Sequence, residues 1–438
     1  IKKEYIMKDL IILVGTNPLP CYISAVYLCK YYREEQVNKI FMVGSEKNQE
    51  NKQDETIEIA DRIRKMLKAN QMLLELNPKL NININPLTDV RDKDCIYNEV
   101  KEIKNESDAD AIELNFTGGT KSMSVFFYYY AVTENCKHEF FSSYLDAHTH
   151  QIILYDKQLY KPSEDLRTLD YLKMSLEEIS TLHNFKVKSE FPDSKCKNIS
   201  AYDFEILKQY KPALNKFEEY LYDERINQFY NPQSGFDAGK FKEKKGRTYS
   251  FKEKITDEER SYLINNELIK PIWESIKGVN KDKHLLEFIG GTWLEYWIYD
   301  ILTNQDKLVD EGNFLAENID FYFDNLINPI NDNRIKFQLD ICAVFGYQLN
   351  VISISTAKDK GMVKLKAFEA FHRAHQLGGD ESKIIQISLL SKTNNQDLMD
   401  DLFMEVGSLE SKFLCLGLED LIKDKKELRE EIIDYIKK

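Results

Sequence analysis

The chain has 438 residues, a formal net charge of −13, and 42% apolar against 30% charged residues. That is too long for one ordinary domain, and the composition is that of a globular protein, not a disordered or fibrous one. The acidic balance excludes an overall nucleic-acid coat but not a local basic groove, where only the nearby field matters. No apolar run approaches the ~20 residues that cross a bilayer. The seven cysteines are dispersed without a CxxC pair, which argues against a disulfide framework or a zinc knuckle. No export segment is evident, so a cytoplasmic protein away from membranes is expected.

The first ~155 residues alternate apolar strands with helices. Strands are expected at Asp9–Gly15, Lys39–Gly44, Asn81–Leu87 and Asp110–Asn115. Helices follow at Cys21–Tyr32, Thr56–Asn70, Asp94–Asn105 and about Thr120–Glu134. His138–Leu145 and Gln151–Tyr155 close the series as a strand pair. Repeated β-α units imply a doubly wound, mostly parallel sheet, with ligands beyond the carboxyl ends of its strands. Tyr128–Tyr130 are expected to pack their helix against that sheet. A polar stretch, Lys157–Asp170, leads to a helix near Ser175–Leu182, and residues ~198–280 read as a helical insertion. Within it, Lys240–Lys254 carries seven basic residues against two acidic ones, the pattern of a solvated loop or of a nucleic-acid contact. From Leu285 a third region runs helix (Thr292–Thr303), strands (Asn318–Phe323, Phe337–Phe345, Leu349–Ser355), helix (Lys364–Gln376), strand (Ile384–Leu389) and a charged helical tail from Leu418. The expected division is therefore 1–156, 157–284 and 285–438.

Two glycine loops each end a strand and open a helix. One is Gly15-Thr16-Asn17-Pro18-Leu19-Pro20, and the other runs Asn115-Phe116-Thr117-Gly118-Gly119-Thr120-Lys121-Ser122-Met123. Glycines let backbone approach a ligand, and the free N–H groups of a helix start favour an anion. Thr117, Thr120 and Ser122 add hydroxyls and Lys121 a positive charge, which together suit a phosphate or nucleotide. The spacing is neither that of a nucleoside triphosphate loop nor that of a dinucleotide fingerprint.

The Asn115–Met123 stretch, standing after the fourth strand, resembles the signature of CARF domains, the Rossmann-like sensors of CRISPR systems; Gly15–Pro20 resembles their other ligand segment. The resemblance covers about residues 1–155. It implies a homodimer that binds a cyclic oligoadenylate across its two-fold axis, with cyclic tetra-adenylate the first choice and the hexamer the second. By the same resemblance Gly15, Thr16, Asn17, Pro18, Asn115, Thr117, Gly118, Gly119, Thr120, Lys121 and Ser122 contact the ring. Gly44 and Ser45 follow a strand on the same rim. Asp89 does too, but suits a turn better.

The third region resembles a PD-(D/E)XK, restriction-endonuclease-like mixed α/β core. The segments that carry this are Gly290-Gly291-Thr292-Trp293-Leu294-Glu295, Gln338-Leu339-Asp340-Ile341, the following strand Val351–Thr356, and Leu377–Glu381. The family holds Mg²⁺ or Mn²⁺ through a helix glutamate and a strand aspartate, which implies Glu295 and Asp340 here. The metal polarises the phosphate and activates water, while a strand lysine stabilises developing charge. This chain departs from the pattern: where the family has Glu-x-Lys it reads Ser353-Ile354-Ser355. Lys366, Lys364 or Lys360 could replace the lysine, Ser353, Ser355 and Thr356 could line an altered site, or the core could only bind. His372 and His375 share one helix face as ordinary polar residues or as a metal pair.

Three readings of function follow. The first is a cyclic-oligoadenylate-activated effector that cleaves DNA or RNA with Glu295, Asp340 and a helix or loop lysine. The second is a ligand-gated binding module. The third is a ring nuclease whose sensor domain opens its own messenger, with Lys121 as the residue to test.

Overall fold

The computed structural model describes residues 7–32, 37–47, 54–133, 138–156, 159–189, 230–231, 235–236, 257–265, 270, 288–303, 319–357, 359–406 and 412–438. By proximity the residues group into two units. The first comprises Ile1–Ser189, Ala316–Val351 and Glu369–Ile384, and the second Glu190–Leu315, Ile352–Phe368 and Ile385–Lys438.

The first unit opens with β1 (Lys8–Leu13), α1 (Pro18–Tyr31), β2 (Val37–Ser45), α2 (Ile57–Ala69), α3 (Gln71–Leu76), β3 (Asn81–Leu87), α4 (Lys93–Glu106), β4 (Ala111–Asn115), α5 (Lys121–Thr133), β5 (Glu139–Asp146), β6 (Gln151–Asp156) and β7 (Leu159–Pro162). The seven strands form one sheet in the order β3-β2-β1-β4-β5-β6-β7. The pairings are parallel as far as β4–β5 and antiparallel at β5–β6 and β6–β7. The central strands are buried on both faces, as continuous Leu/Ile/Val runs require. Ile11, Leu13, Phe41 and Val43 meet Ile96, Val100 and Ile103 of α4 and Met123 and Phe127 of α5. The alternate residues, such as Leu10, Ile12 and Met42, point to the opposite face.

The chain direction of assembly reverses at β1. Its two neighbours are β2, which leads outward to β3, and β4, which leads outward to β5. The loops after β1 and β4 therefore flank the crevice where a doubly wound sheet takes ligands.

One expectation is corrected in α5. Tyr128 and Tyr129 do not pack on the sheet: with Val125 and Val132 they are 49–61% exposed. These four positions follow the i, i+3, i+4, i+7 spacing of a single helix face. Only Tyr130 turns inward, against Tyr97 and Phe126.

After two short 3₁₀ turns and α6 (Leu176–Leu182), β8 (Phe185–Ser189) pairs antiparallel with β11 (Ile319–Pro329), which pairs antiparallel with β12 (Phe337–Phe345). A second, six-stranded sheet runs in the order β15-β14-β13-β12-β11-β8. Here β13 is Gln348–Ser355, β14 Lys383–Ser388 and β15 Phe413–Leu416. Most of the 198–280 reading, including Lys240–Lys254, lies outside the described residues. Inside them, β9 (Tyr230–Asn231) pairs with β10 (Gly235–Phe236), and α7 spans Asp257–Ile264. The later helices are α8 (Trp293–Thr303), α9 (Lys360–Gly378), α10 (Lys392–Val406), α11 (Leu418–Leu421) and α12 (Lys425–Lys437). No described helix is long and apolar enough to cross a membrane.

Candidate functional site

The two glycine loops of the first unit touch. A methyl built on Gly15 would stand 2.9 Å from Gly119 N, and one on Gly118 would stand 2.6 Å from Cys21 Sγ and 2.8 Å from Gly15 N. Side chains would hold the loops apart, so glycine is required at this approach. Asn17 caps α1: its Oδ1 accepts from Leu19 N at 3.1 Å, and Pro18 fills the first helical position, where no N–H is needed. Thr120 serves α5 likewise, its Oγ1 accepting from Met123 N at 3.2 Å. The Thr117 hydroxyl oxygen accepts from Leu145 N at 2.8 Å and lies 3.3 Å from Ser24 Oγ. Asn115 is fully buried; its amide donates to Ser143 Oγ at 3.1 Å, and its Oδ1 accepts from Thr117 N at 3.3 Å. Beneath the loops, burial pushes the Cys21 thiol up to about 11, helped by the nearby Glu381 carboxylate.

A pocket of about 670 Å³ opens on these loops. It is lined by Gly15, Thr16 and Asn17 from the first and Thr117, Gly118 and Gly119 from the second, with Pro20, Leu145 and Ala147 beside them. Its other wall is formed by His372, His375 and Gln376 of α9 and by Asp380 and Glu381 of the turn that follows. These wall residues all belong to the first unit.

Six of the residues assigned to the ring by resemblance thus share one pocket. The rest are placed otherwise. Pro18, Asn115 and Ser122 support the loops and their helices without lining it, and Thr120 and Lys121 are exposed at the start of α5. Ser45 is turned inward: its N–H donates to Thr56 Oγ1 at 2.8 Å and its hydroxyl to Asp54 O at 2.5 Å. A methyl built on Gly44 would stand 3.1 Å from backbone atoms of Thr56 and Ile57. Asp89 accepts from Arg91 N at 2.9 Å, as a turn residue does.

The second unit has its own pocket, of about 370 Å³, lined by Gly291, Thr292, Glu295, Ile354, Ser355, Thr356, Ala357 and Lys366. Trp293, Leu294, Trp297 and Ile298 anchor α8 in the core and leave Glu295 half-buried on its first turn. Thr356 Oγ1 donates to Gly290 O at 3.0 Å and ties the end of β13 to the glycine turn before α8. Ser353 and Ser355 share one face of β13 by strand alternation. Ser355 reaches the pocket, while Ser353 is 3% exposed.

The three lysines separate. Lys366 lines the pocket and donates to Ile354 O. Lys364 pairs with Glu405 at 2.5 Å and Asp401 at 3.4 Å, and Lys360 pairs with Asp401 at 3.2 Å. Asp340, half-buried on β12, belongs to the first unit. Glu295 is the carboxylate of the pocket, beside the hydroxyls of Thr292, Ser355 and Thr356; oxygen donors of this kind suit a hard divalent cation. Among the described residues no cluster of three or more His, Cys, Asp or Glu is gathered as a metal site.

The sequence reading missed the second wall of the larger pocket. In sequence, His372 and His375 show only a shared helix face, and Asp380-Glu381 only part of a family pattern.

Comparison with known proteins agrees with the first unit's geometry. Residues 13–171 match the profile of the family described as the Card1 CARF domain. No curated protein sequence matches the chain. Among solved structures, protein VC1899 from Vibrio cholerae is similar over 98% of both chains, at 11% identity and a TM-score of 0.57, a likeness of fold. A type III CRISPR defence DNA nuclease activated by cyclic oligoadenylate overlaps 89% of this chain and 46% of its own. At 13% identity and a TM-score of 0.40, that overlap is too loose to carry an argument. With its strand order and its switch-point loops, the N-terminal region of this chain is similar to Card1 CARF domains over residues 13–171.

Proposed function

We propose that the chain is a cyclic-oligoadenylate-activated nuclease of CRISPR defence, acting as a homodimer on DNA or RNA. The observation that carries this reading is the convergence of the two glycine loops on one pocket within a CARF domain. Backbone N–H groups and the Thr16 and Thr117 hydroxyls are neutral donors suited to phosphodiester oxygens. Cyclic tetra-adenylate is the first choice of messenger, since a ring with an even number of units matches a two-fold site. The apolar stripe of α5 supports pairing of protomers, because Val125, Tyr128, Tyr129 and Val132 would otherwise remain in water.

Cleavage is assigned to the second unit's pocket. Glu295 would hold Mg²⁺ or Mn²⁺ there, with Ser355 and Thr356 hydroxyls beside it. The cation would supply polarisation of the phosphate. Lys366 takes the part of the missing strand lysine, stabilising charge on the phosphate as it builds. By resemblance Asp340 of the first unit is the family's strand carboxylate, and its substitution tests that assignment.

The deciding experiment incubates the protein with single-stranded RNA, single-stranded DNA and plasmid, with Mg²⁺ or Mn²⁺. It is run with and without cyclic tetra-adenylate, beside Asp340→Ala. Messenger-dependent cleavage that the variant abolishes is the expected result. Messenger binding without cleavage under any condition would leave a ligand-gated binding protein instead.

A further inference from the structure

The messenger pocket has an electrostatic asymmetry that the family's loop motifs do not contain. From the two loops it receives backbone amides, hydroxyls and one side-chain amide, none of which carries charge. Lys121, the loop's lysine, is exposed and does not line it. Asp380 and Glu381 bring two carboxylates. The groups lining the pocket that can become cationic are His372 and His375.

The wall that holds them is fixed against the loops. Gly379 has φ +69°, and a methyl there would overlap the side-chain amide of Asn17. The turn after α9 therefore rests on the residue that caps α1. His375 is oriented by Asp380, with Nδ1 3.5 Å from Oδ1, and its ring lies parallel to Phe371 at 6.2 Å. Its ring is still about half exposed, at 49%, and His372 is exposed too, so both can meet a ligand.

We propose that His372 and His375 are messenger-binding residues whose ring N–H groups donate to the ring's phosphates. This rests on the reading that a cyclic oligoadenylate occupies the pocket. Each hydrogen bond to a charged phosphate that is lost weakens binding roughly ten- to hundredfold.

The test titrates cyclic tetra-adenylate into the full chain. Wild type is compared with the double variant His372→Ala/His375→Ala and with His375→Lys, each checked for an unchanged melting temperature. The alanine pair should bind at least about tenfold more weakly than wild type, and the lysine variant, which keeps a donor at the same place, should retain affinity. An alanine pair that binds as wild type does would overturn the inference and leave the messenger reading standing. A wild-type protein that does not bind the ring would overturn both.

Discussion

Gly118 is where the two glycine loops come closest, and a single methyl there tests the arrangement. An alanine Cβ would sit 2.6 Å from Cys21 Sγ and 2.8 Å from Gly15 N, and nearer still to Leu13 O. Two of those neighbours are backbone atoms of β1 and its loop, so no rotamer change relieves the clash. Overpacking of this kind costs about 1–3 kcal/mol. Against a total stability of roughly 5–15 kcal/mol, the variant still folds, with the loops forced apart. Amides aimed at phosphate then lose their reach, and each such bond is worth about 1.5–3 kcal/mol. With about 1.4 kcal/mol per decade, messenger affinity should fall at least about tenfold. Calorimetric titration of cyclic tetra-adenylate into Gly118→Ala, with thermal unfolding in parallel, reads both effects. Gly361→Ala is the control, since a methyl there meets nothing nearer than Asp359 Oδ1 at 3.2 Å, within the first turn of α9. Wild-type affinity and an unchanged melting temperature in Gly118→Ala would refute the close approach of the loops.

Three further outcomes are expected. Lys366→Met should reduce messenger-dependent cleavage at least about a hundredfold, as loss of a charge-stabilising group does; Lys364→Met, whose lysine pairs with Glu405 and Asp401, should change it little. Comparing cleavage rates of the two variants under saturating messenger decides whether the replacement lysine is the one in the pocket. Val125→Asp with Tyr129→Asp should convert a dimer to a monomer in sedimentation velocity, because charge on the exposed α5 stripe makes its burial costly. Burial, and then the Arg62 charge, push the His183 imidazole down to about 4 from its ordinary 6.5. The unfolded chain takes up that proton first, so the contribution is complete above pH 6.5 and lost as pH falls toward about 4. It amounts to about 3 kcal/mol on the scale of 1.36 kcal/mol per unit. In urea titrations at several pH values, His183→Gln should lack this share of the acid loss; identical pH slopes in the two proteins would show that His183 is not buried in neutral form.

The β-α alternation of the N-terminal region was readable because β1, β2 and β4 are apolar runs that no helix period explains, and their observed limits lie within two residues of those read. Thr117, Gly118 and Gly119 were legible for a local reason: a strand end, a turn and a helix start must follow one another in sequence. What escaped was non-local or weakly patterned. α10 buries only Asn395, Leu398 and Leu402 in a run of acidic and amide residues, so its periodicity is faint. β8 is five residues long and takes its meaning from β11, 130 or more positions later. Tyr128 and Tyr129 look like core side chains by composition, and only the placement of Phe127 and Ala131 on the sheet side turns them outward. The histidine wall of the larger pocket is more than 220 positions from the loop of β4 that it faces, a distance no local motif spans. Lys360, Lys364 and Lys366 were equivalent on paper, and their acidic neighbours on α10 separate them.

The first unit is written in three pieces along the chain, the last ending at Ile384. During synthesis, β8 emerges from the ribosome long before its partner β11 exists, and the pocket lacks its histidine wall until α9 has been made. A prematurely terminated product would therefore carry the glycine loops without the wall that completes their pocket. The first unit is complete only once the chain has been made through Ile384.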